Sequence, residues 1–372
     1  MKKLFWVAGV WLLASVAWAQ PKGITARAWI VTDVASGKVL AEHKANVALA
    51  PASLTQMMVA YVLFGDLKKN KLSLGELLSV PESATRSDGA RVFLKAGEQV
   101  SVDTLMQALL VHSATDATLT LAEGADGSEA AFVARMNREA VRLGMTQTRF
   151  MNAVGLTEPG QRSSAQDLAV LARALLREFP ERQAFFQQKE LQFHGDTYYN
   201  RNRLLWRDAT VDGLKSGRTT EAGYCVAASA RRGDQRRIAI VLGAGSDGAR
   251  TENALRLLNY GFENFDSVKL YRANQPVKQL PLYRGARDTV SLGFLQDFHL
   301  LPPRGSAARL KADMITQRPI VAPIRRGQQL GSLRLTLDGK PFGEYPLVAL
   351  HDVGVAGILG RGWDSIRLFF GQ

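Results

Sequence analysis

Residues 222–244, AGYCVAASARRGDQRRIAIVLGA, are the stretch that decides the fold. Two apolar runs flank the polar turn Arg232-Gly233-Asp234, which is the pattern of a β-hairpin. Near the start of the chain, residues 26–47 alternate in the same way and turn at Ser36-Gly37, which predicts a second hairpin. We expect both hairpins to join one antiparallel sheet with helices packed on it.

Helices are predicted between and after the two hairpins. Residues 51–65 form a candidate helix that starts near Pro51, because proline suits the first turn of a helix. Residues from about 101 to 180 and 248–265 carry apolar side chains at a spacing of 3.6. The sequence therefore predicts an α+β domain over residues 20–263, made of an antiparallel sheet and a helical lobe.

Beyond that domain the pattern changes to short alternating runs separated by Gly, Pro and Asp turns. Runs of this kind are typical of small all-β units. We therefore predict a separate β domain over residues 264–350.

Both ends of the chain carry candidate targeting segments. Residues 1–19 have the layout of a secretory signal peptide: Lys2-Lys3, an apolar run, and Ala17-Trp18-Ala19 before the expected cut. The alternative is an uncleaved N-terminal anchor. We expect export to the periplasm.

Residues 351–372 are predicted to form an amphipathic helix. Its apolar face comprises Val355, Leu359, Trp363, Ile366 and Phe370. Such a face suits a membrane interface, which would place the protein on the outer face of the inner membrane, and the alternative is a helix docked on the β domain.

The composition limits the classes of partner. A formal net charge of +13 favours anionic lipid or an acidic cell-wall polymer for an exported protein, rather than nucleic acid. The single cysteine, Cys225, excludes an internal disulfide and lies in an apolar run, so we expect it to be a buried strand residue.

Three short segments could carry chemistry. Ser53 falls at the first turn of a helix, where amides and the helix dipole favour a developing oxyanion, although such a serine is more often a simple cap. Ser113 places a hydroxyl in an apolar helical region, and the adjacent His112 should point about 100° away from it on a helix. Lys215 is expected at the start of a strand, where Lys215-Ser216-Gly217 could capture a carboxylate at a sheet edge.

The order and spacing of these segments resemble the Ser-x-x-Lys, Ser-x-Asn and Lys-Thr-Gly set of penicillin-binding proteins and serine β-lactamases. The chain is most similar to the exported D-alanyl-D-alanine carboxypeptidases, through PASLTQMMVAYV, GLTEPGQRSSAQDLAVLARAL, NRNRLLW and VDGLKSGRTTEAGYCVAASA. The β domain and the C-terminal tail favour the carboxypeptidases over the β-lactamases.

This resemblance implies Ser53 as the acyl-forming nucleophile and Ser113 as a proton-relay hydroxyl. It implies a substrate-binding edge made by Lys215, Ser216, Gly217, Arg218 and Thr219, with the amides of Ser53 and Arg218 as the oxyanion hole. The implied substrate is the peptidoglycan pentapeptide stem, β-lactam antibiotics are further possible ligands, and no metal or cofactor is implied.

The sequence departs from the family pattern at positions to which the resemblance gives catalytic roles. Gln56 stands where the family has its lysine, and a carboxamide oxygen is a negligible base near neutral pH. Thr115 replaces the family's asparagine and loses an amide donor, whereas Ser216 for threonine keeps the hydroxyl. Lys215 as a substitute base would need a lowered pKa, and the loss of a neighbouring cation removes one force that would lower it.

Three hypotheses follow. In the first, the chain keeps the groove and binds stem peptides but turns over poorly. In the second, it is a working D-alanyl-D-alanine carboxypeptidase in peptidoglycan remodelling that uses another base, such as Lys215. The third is a different serine hydrolase activity on the same frame, including weak penicillin hydrolysis. The first is placed slightly ahead of the second.

Overall fold

The computed structural model describes residues 20–316 and 318–357. It divides into two compact units, one over Pro21–Ser267 and one that contains the described residues from Val268 onward together with Gln20. The predicted signal segment and most of the predicted C-terminal helix lie outside the described residues. Within the described residues, no helix is both long and apolar enough to cross a membrane.

The first unit contains a five-stranded antiparallel sheet and two short two-stranded pairs. Its strands are β1 (Ala28–Asp33), β2 (Val39–His43), β3 (Leu77–Ser79), β4 (Gln99–Ser101), β5 (Glu190–Phe193), β6 (Asp196–Tyr199), β7 (Val211–Thr219), β8 (Gly223–Arg232) and β9 (Gln235–Ala244). The main sheet has the order β2-β1-β9-β8-β7, so both predicted hairpins are confirmed and β7 is an edge strand. Cys225 on β8 is fully buried, as predicted.

Nine helices are described in this unit. They are α1 (Gln56–Lys68), α2 (Glu82–Thr85), α3 (Val102–Gln107), α4 (Thr115–Asp126), α5 (Glu129–Leu143), α6 (Ala165–Glu178), α7 (Gln183–Gln187), α8 (Leu204–Arg207) and α9 (Asp247–Asn264). Serine side chains cap α5, α6 and α9 by accepting the orphan amides of the first turn. The apolar faces of α6 and α9 pack on the sheet, which confirms the α+β prediction.

Two irregular turns shape the ends of helices at the candidate site. Residues Ala52–Thr55 form a 3₁₀ turn that leads into α1, so the predicted helix start is confirmed to within a few residues. Residues Ala108–His112 form a π-helical turn, and Ser113 then takes the left-handed conformation with φ of 62° before α4 begins. The prediction of a continuous helix through Ser113 is therefore wrong.

The second unit is all-β, as predicted. Its strands are β10 (Val268–Tyr271), β11 (Pro276–Pro281), β12 (Thr289–Gly293), β13 (Phe298–Leu300), β14 (Leu310–Thr316), β15 (Gln329–Leu337) and β16 (Lys340–Ala349). Five of them form a sheet of order β11-β12-β16-β15-β14, and β10 pairs with β13. Alternate apolar side chains such as Leu292, Leu333 and Leu347 build its core.

The first residues of the predicted C-terminal helix are not helical. Val353 bridges Ile324, and Val355 bridges Gly285, so this segment is held by backbone pairing in the β unit. Backbone pairing of this kind is incompatible with the intrahelical bonds that a helix over residues 351–357 would need. The remainder of that prediction, residues 358–372, lies outside the described residues.

Candidate active site

Four segments that are far apart in sequence meet at a groove of about 1110 Å³ in the first unit. They are the 3₁₀ turn with Ser53, the irregular segment 112–115, the loop before α8 with Arg201, and residues 216–219 of the edge strand β7. The predicted nucleophile, relay hydroxyl and substrate-binding edge are thus brought to one place. Lys215 lies in the middle of β7, so the prediction that it begins a strand is wrong.

The backbone around Ser53 is held by two close glycine contacts. A Cβ on Gly155, whose φ is 85°, would lie 2.2 Å from the Ala52 carbonyl oxygen. A Cβ on Gly217 would lie 2.6 Å from the Ser53 amide nitrogen. Both are positions where a backbone approaches another so closely that only glycine fits. The nucleophile is therefore seated between a loop and the edge strand.

Gln56 lies directly behind this turn and is fully buried. Its amide nitrogen donates to the Ser113 carbonyl oxygen at 3.3 Å and to the Thr118 hydroxyl at 3.1 Å. Its carbonyl oxygen has no hydrogen-bond partner among the described residues. The side chain thus ties α1 to the Ser113 turn, in the place where the family resemblance puts a lysine.

Lys215 is buried beside the relay hydroxyl. Its amine donates to the Ser113 hydroxyl and, at 3.3 Å, to the Ser216 carbonyl oxygen. Burial, and next the charges of Arg201 and Arg250, lower the pKa of Lys215 to about 7. A lysine at position 56 would have been one source of this lowering, and here burial and two arginines supply it instead.

Arg250 fixes the geometry of this corner. Its guanidinium donates to the Gly217 carbonyl oxygen at 3.0 Å and to the Arg201 carbonyl oxygen at 3.2 Å, and it pairs with Asp247 at 2.5 Å. It therefore links α9, the edge strand and the loop before α8. The sequence arguments gave no role to Arg201 or Arg250, although Arg201 falls in the NRNRLLW segment and that match is the signal that points to it.

Thr115 and His112 complete the wall opposite β7. The Thr115 hydroxyl donates to the Ala90 carbonyl oxygen at 3.0 Å and lies 2.9 Å from the Ser87 hydroxyl, so it is engaged within the wall. His112 lines the groove, and the expectation that it points elsewhere is wrong because the π-helical turn replaces regular helix geometry. Burial, and next the charge of Arg201, lower the pKa of His112 to about 4, so it is neutral and weakly basic near pH 7.

A helix-start serine facing a lysine-bearing edge strand, on an antiparallel sheet with a helical lobe, defines the penicillin-binding class of active-site serine proteins. Residues 15–246 match the family model described as D-alanyl-D-alanine carboxypeptidase, and residues 265–355 match that of the penicillin-binding protein 5 C-terminal domain. The chain belongs to the D-alanyl-D-alanine carboxypeptidase family and carries a C-terminal domain of the penicillin-binding protein 5 type.

Individual relatives agree with this assignment. The chain is 38% identical to D-alanyl-D-alanine carboxypeptidase DacC of Escherichia coli (strain K12), over 98% of this chain and 94% of that protein. Penicillin-binding protein 5 from Haemophilus influenzae superposes with a TM-score of 0.86 at 34% identity, over 90% of this chain and 99% of that one. Penicillin-binding protein D2 from Listeria monocytogenes, solved in its ampicillin-bound form, gives 0.60 at 34% identity over 64% and 98%.

Proposed function

We propose that this protein binds the D-alanyl-D-alanine end of peptidoglycan stem peptides in the groove, and that acylation of Ser53 is slow. The family and the seat of Ser53 between Gly155 and Gly217 support binding at this place. An ampicillin-bound relative supports β-lactams as ligands of the same groove.

The hydrogen bonding of Gln56 is the observation that supports slow acylation of Ser53. Attack by Ser53 on a carbonyl carbon requires a base that takes the hydroxyl proton. The Gln56 amide nitrogen is committed to Ser113 and Thr118, and its oxygen is a carboxamide oxygen with negligible basicity. Loss of the base of an activated serine costs on the order of 10⁴ to 10⁶ in kcat. Binding does not need that base and is retained.

A second candidate, full carboxypeptidase turnover, is favoured by Lys215. With a pKa of about 7, a large fraction of this amine is neutral near pH 7, and it contacts the Ser113 hydroxyl. In this scheme the Ser53 proton passes to Ser113, whose own proton passes to Lys215, while the Ser53 oxygen bonds to the carbonyl carbon. The proton then returns to the departing amine of the last D-alanine as its C–N bond breaks.

Intact-mass measurement after incubation with benzylpenicillin separates the two candidates. The samples are the parent protein, Ser53→Ala and Gln56→Lys, followed over time. We expect an adduct in Gln56→Lys on a timescale at which the parent shows little, and none in Ser53→Ala. Equal rates for the parent and Gln56→Lys would contradict slow acylation and favour Lys215 as base. An adduct that persists in Ser53→Ala would contradict Ser53 as the nucleophile.

We also propose that the protein is exported and held at the outer face of the inner membrane by its C-terminal tail. The signal-like residues 1–19 and the aromatic face of residues 358–372 support this. Deletion of residues 358–372 keeps the backbone bridges of Val353 and Val355 and should move most of the protein to the soluble fraction. Phe370→Ser on the apolar face should act in the same direction and Ser365→Ala should not. An unchanged membrane fraction after the deletion contradicts the proposal.

A further inference from the structure

The groove carries more positive charge than one carboxylate needs. Asp247 is the acidic side chain among its described lining residues, and Arg203 and Arg250 hold it at 2.7 Å and 2.5 Å. The lining also contains five guanidinium groups, those of Arg201, Arg203, Arg207, Arg218 and Arg250. A concave site with this excess favours a ligand that has several negative groups.

Arg218 is the member of this set that is both exposed and placed on the substrate-binding edge. Its guanidinium stacks over the Tyr224 ring at 5.2 Å, and Arg250 stacks over the same ring at 5.6 Å. Among the residues that the structure describes, Arg218 has no acidic partner. Stacking restrains the guanidinium plane and leaves its edge donors available, which suits two-point binding of a carboxylate.

The position of Arg218 along β7 indicates which part of a ligand it meets. On the proposed function, the terminal carboxylate docks at Lys215 and Ser216, and the scissile carbonyl faces the amides of Ser53 and Arg218. A strand advances about 3.3 Å per residue, so a stem that continues along the edge places its preceding side chain beside the Arg218 guanidinium. The side chain of the residue before D-alanyl-D-alanine is therefore the group within its reach.

We propose that Arg218 binds a second carboxylate of the stem peptide, carried by the side chain of the residue that precedes D-alanyl-D-alanine. The protein thus selects stems whose third residue has a free acidic group over stems in which that group is amidated or absent. This inference rests on the proposed function and adds the substrate class to it. The Arg218 side chain acts in selection, whereas its backbone amide belongs to the oxyanion hole and is kept in any substitution.

Two peptides that differ by one carboxylate test this selection. They are acetyl-diaminopimelyl-D-alanyl-D-alanine and the same peptide with its side-chain carboxylate amidated. Binding is measured by calorimetry on the full chain with Ser53→Ala, which prevents turnover. We expect the acidic peptide to bind about five- to tenfold more tightly, as one charge-assisted contact at a partly exposed site allows. This preference should weaken with salt.

Substitutions at Arg218 assign the preference to this side chain. Added to Ser53→Ala, Arg218→Gln should remove the difference between the two peptides, and Arg218→Lys should keep part of it. Arg86→Gln, an exposed arginine outside the groove, should leave the difference unchanged. Equal binding of both peptides before Arg218 is changed, or a preference retained in Arg218→Gln, overturns this inference alone. If neither peptide binds, the proposed function is overturned as well.

Discussion

The backbone that seats Ser53 and the polar side chains behind it differ in how far they follow the family pattern. On one side, Gly155 and Gly217 bring a loop and the edge strand against the serine at distances that no other residue permits. On the other side, the motif resemblance would put a lysine at position 56 and an asparagine at position 115, where the chain has Gln56 and Thr115. The close backbone contacts at Ser53 admit only glycine, whereas the polar side chains behind it depart from the pattern that the resemblance implies.

This difference shows that the two parts of the site answer to different physical requirements. The seat is part of the packing, so its loss would cost folding free energy as well as activity. In the polar cluster, the buried Gln56 amide nitrogen donates two hydrogen bonds, whereas its carbonyl oxygen has no partner among the described residues. A glutamine side chain is therefore held behind the Ser53 turn through its amide donors alone.

The largest expected effect comes from breaking the seat. Gly155→Ala places a Cβ 2.2 Å from the Ala52 carbonyl oxygen and also strains a residue with φ of 85°. Because the obstacle is backbone, it cannot move aside as a side chain would. We expect a loss of at least about 3 kcal/mol in the free energy of unfolding, measured with urea, or failure to accumulate as soluble protein.

Gly97→Ala is the matched control for this substitution. Gly97 has a similar φ of 78°, but a Cβ there would meet nothing within 4 Å. It should lower the free energy of unfolding by only about 1 to 2 kcal/mol, because alanine is disfavoured in the left-handed conformation. If Gly155→Ala proved no more destabilising than Gly97→Ala, close approach at Ser53 would not be what fixes the seat.

Much of the fold could be predicted from the sequence, because its determinants are local. The turn Arg232-Gly233-Asp234 between two apolar runs is visible in twenty-odd residues, and so is the change of texture at the β unit. The helix start near residue 51, and Ser53 as a candidate at that start, could also be predicted from the sequence. The candidate site residues could be assigned from the sequence because their motifs follow one another in a recognisable order.

The details that govern the chemistry were not predictable from local sequence. The left-handed Ser113 is not a glycine, so nothing in the segment signals the break that turns His112 into the groove. The environment of Lys215 depends on Arg201 and Arg250, which lie elsewhere in the chain and meet it only in the folded state. Side-chain direction and pKa follow from tertiary packing, and periodicity carries no information about either.

A smaller effect is expected in the other half of the comparison, the polar cluster behind Ser53. Lys215 has a pKa of about 7 in the folded protein and an ordinary value of 10.5. Between these values the unfolded chain binds one proton more than the native state, so stability rises with pH across this window. Below pH 7 both states are protonated, and the destabilisation caused by the buried charge is fully present.

Lys215→Met removes this pH dependence. The quantity to measure is therefore the difference in the free energy of unfolding between the variant and the parent at each pH. The stability of Lys215→Met relative to the parent should fall by at most about 1.4 kcal/mol per pH unit above pH 7 and be constant below it. Urea unfolding at pH 6, 8 and 9 measures this slope. Lys69→Met is the control for the loss of a lysine side chain that is exposed. A flat difference for Lys215→Met would mean that the amine is protonated in the native state throughout, and Lys215 could then not act as a base for Ser53.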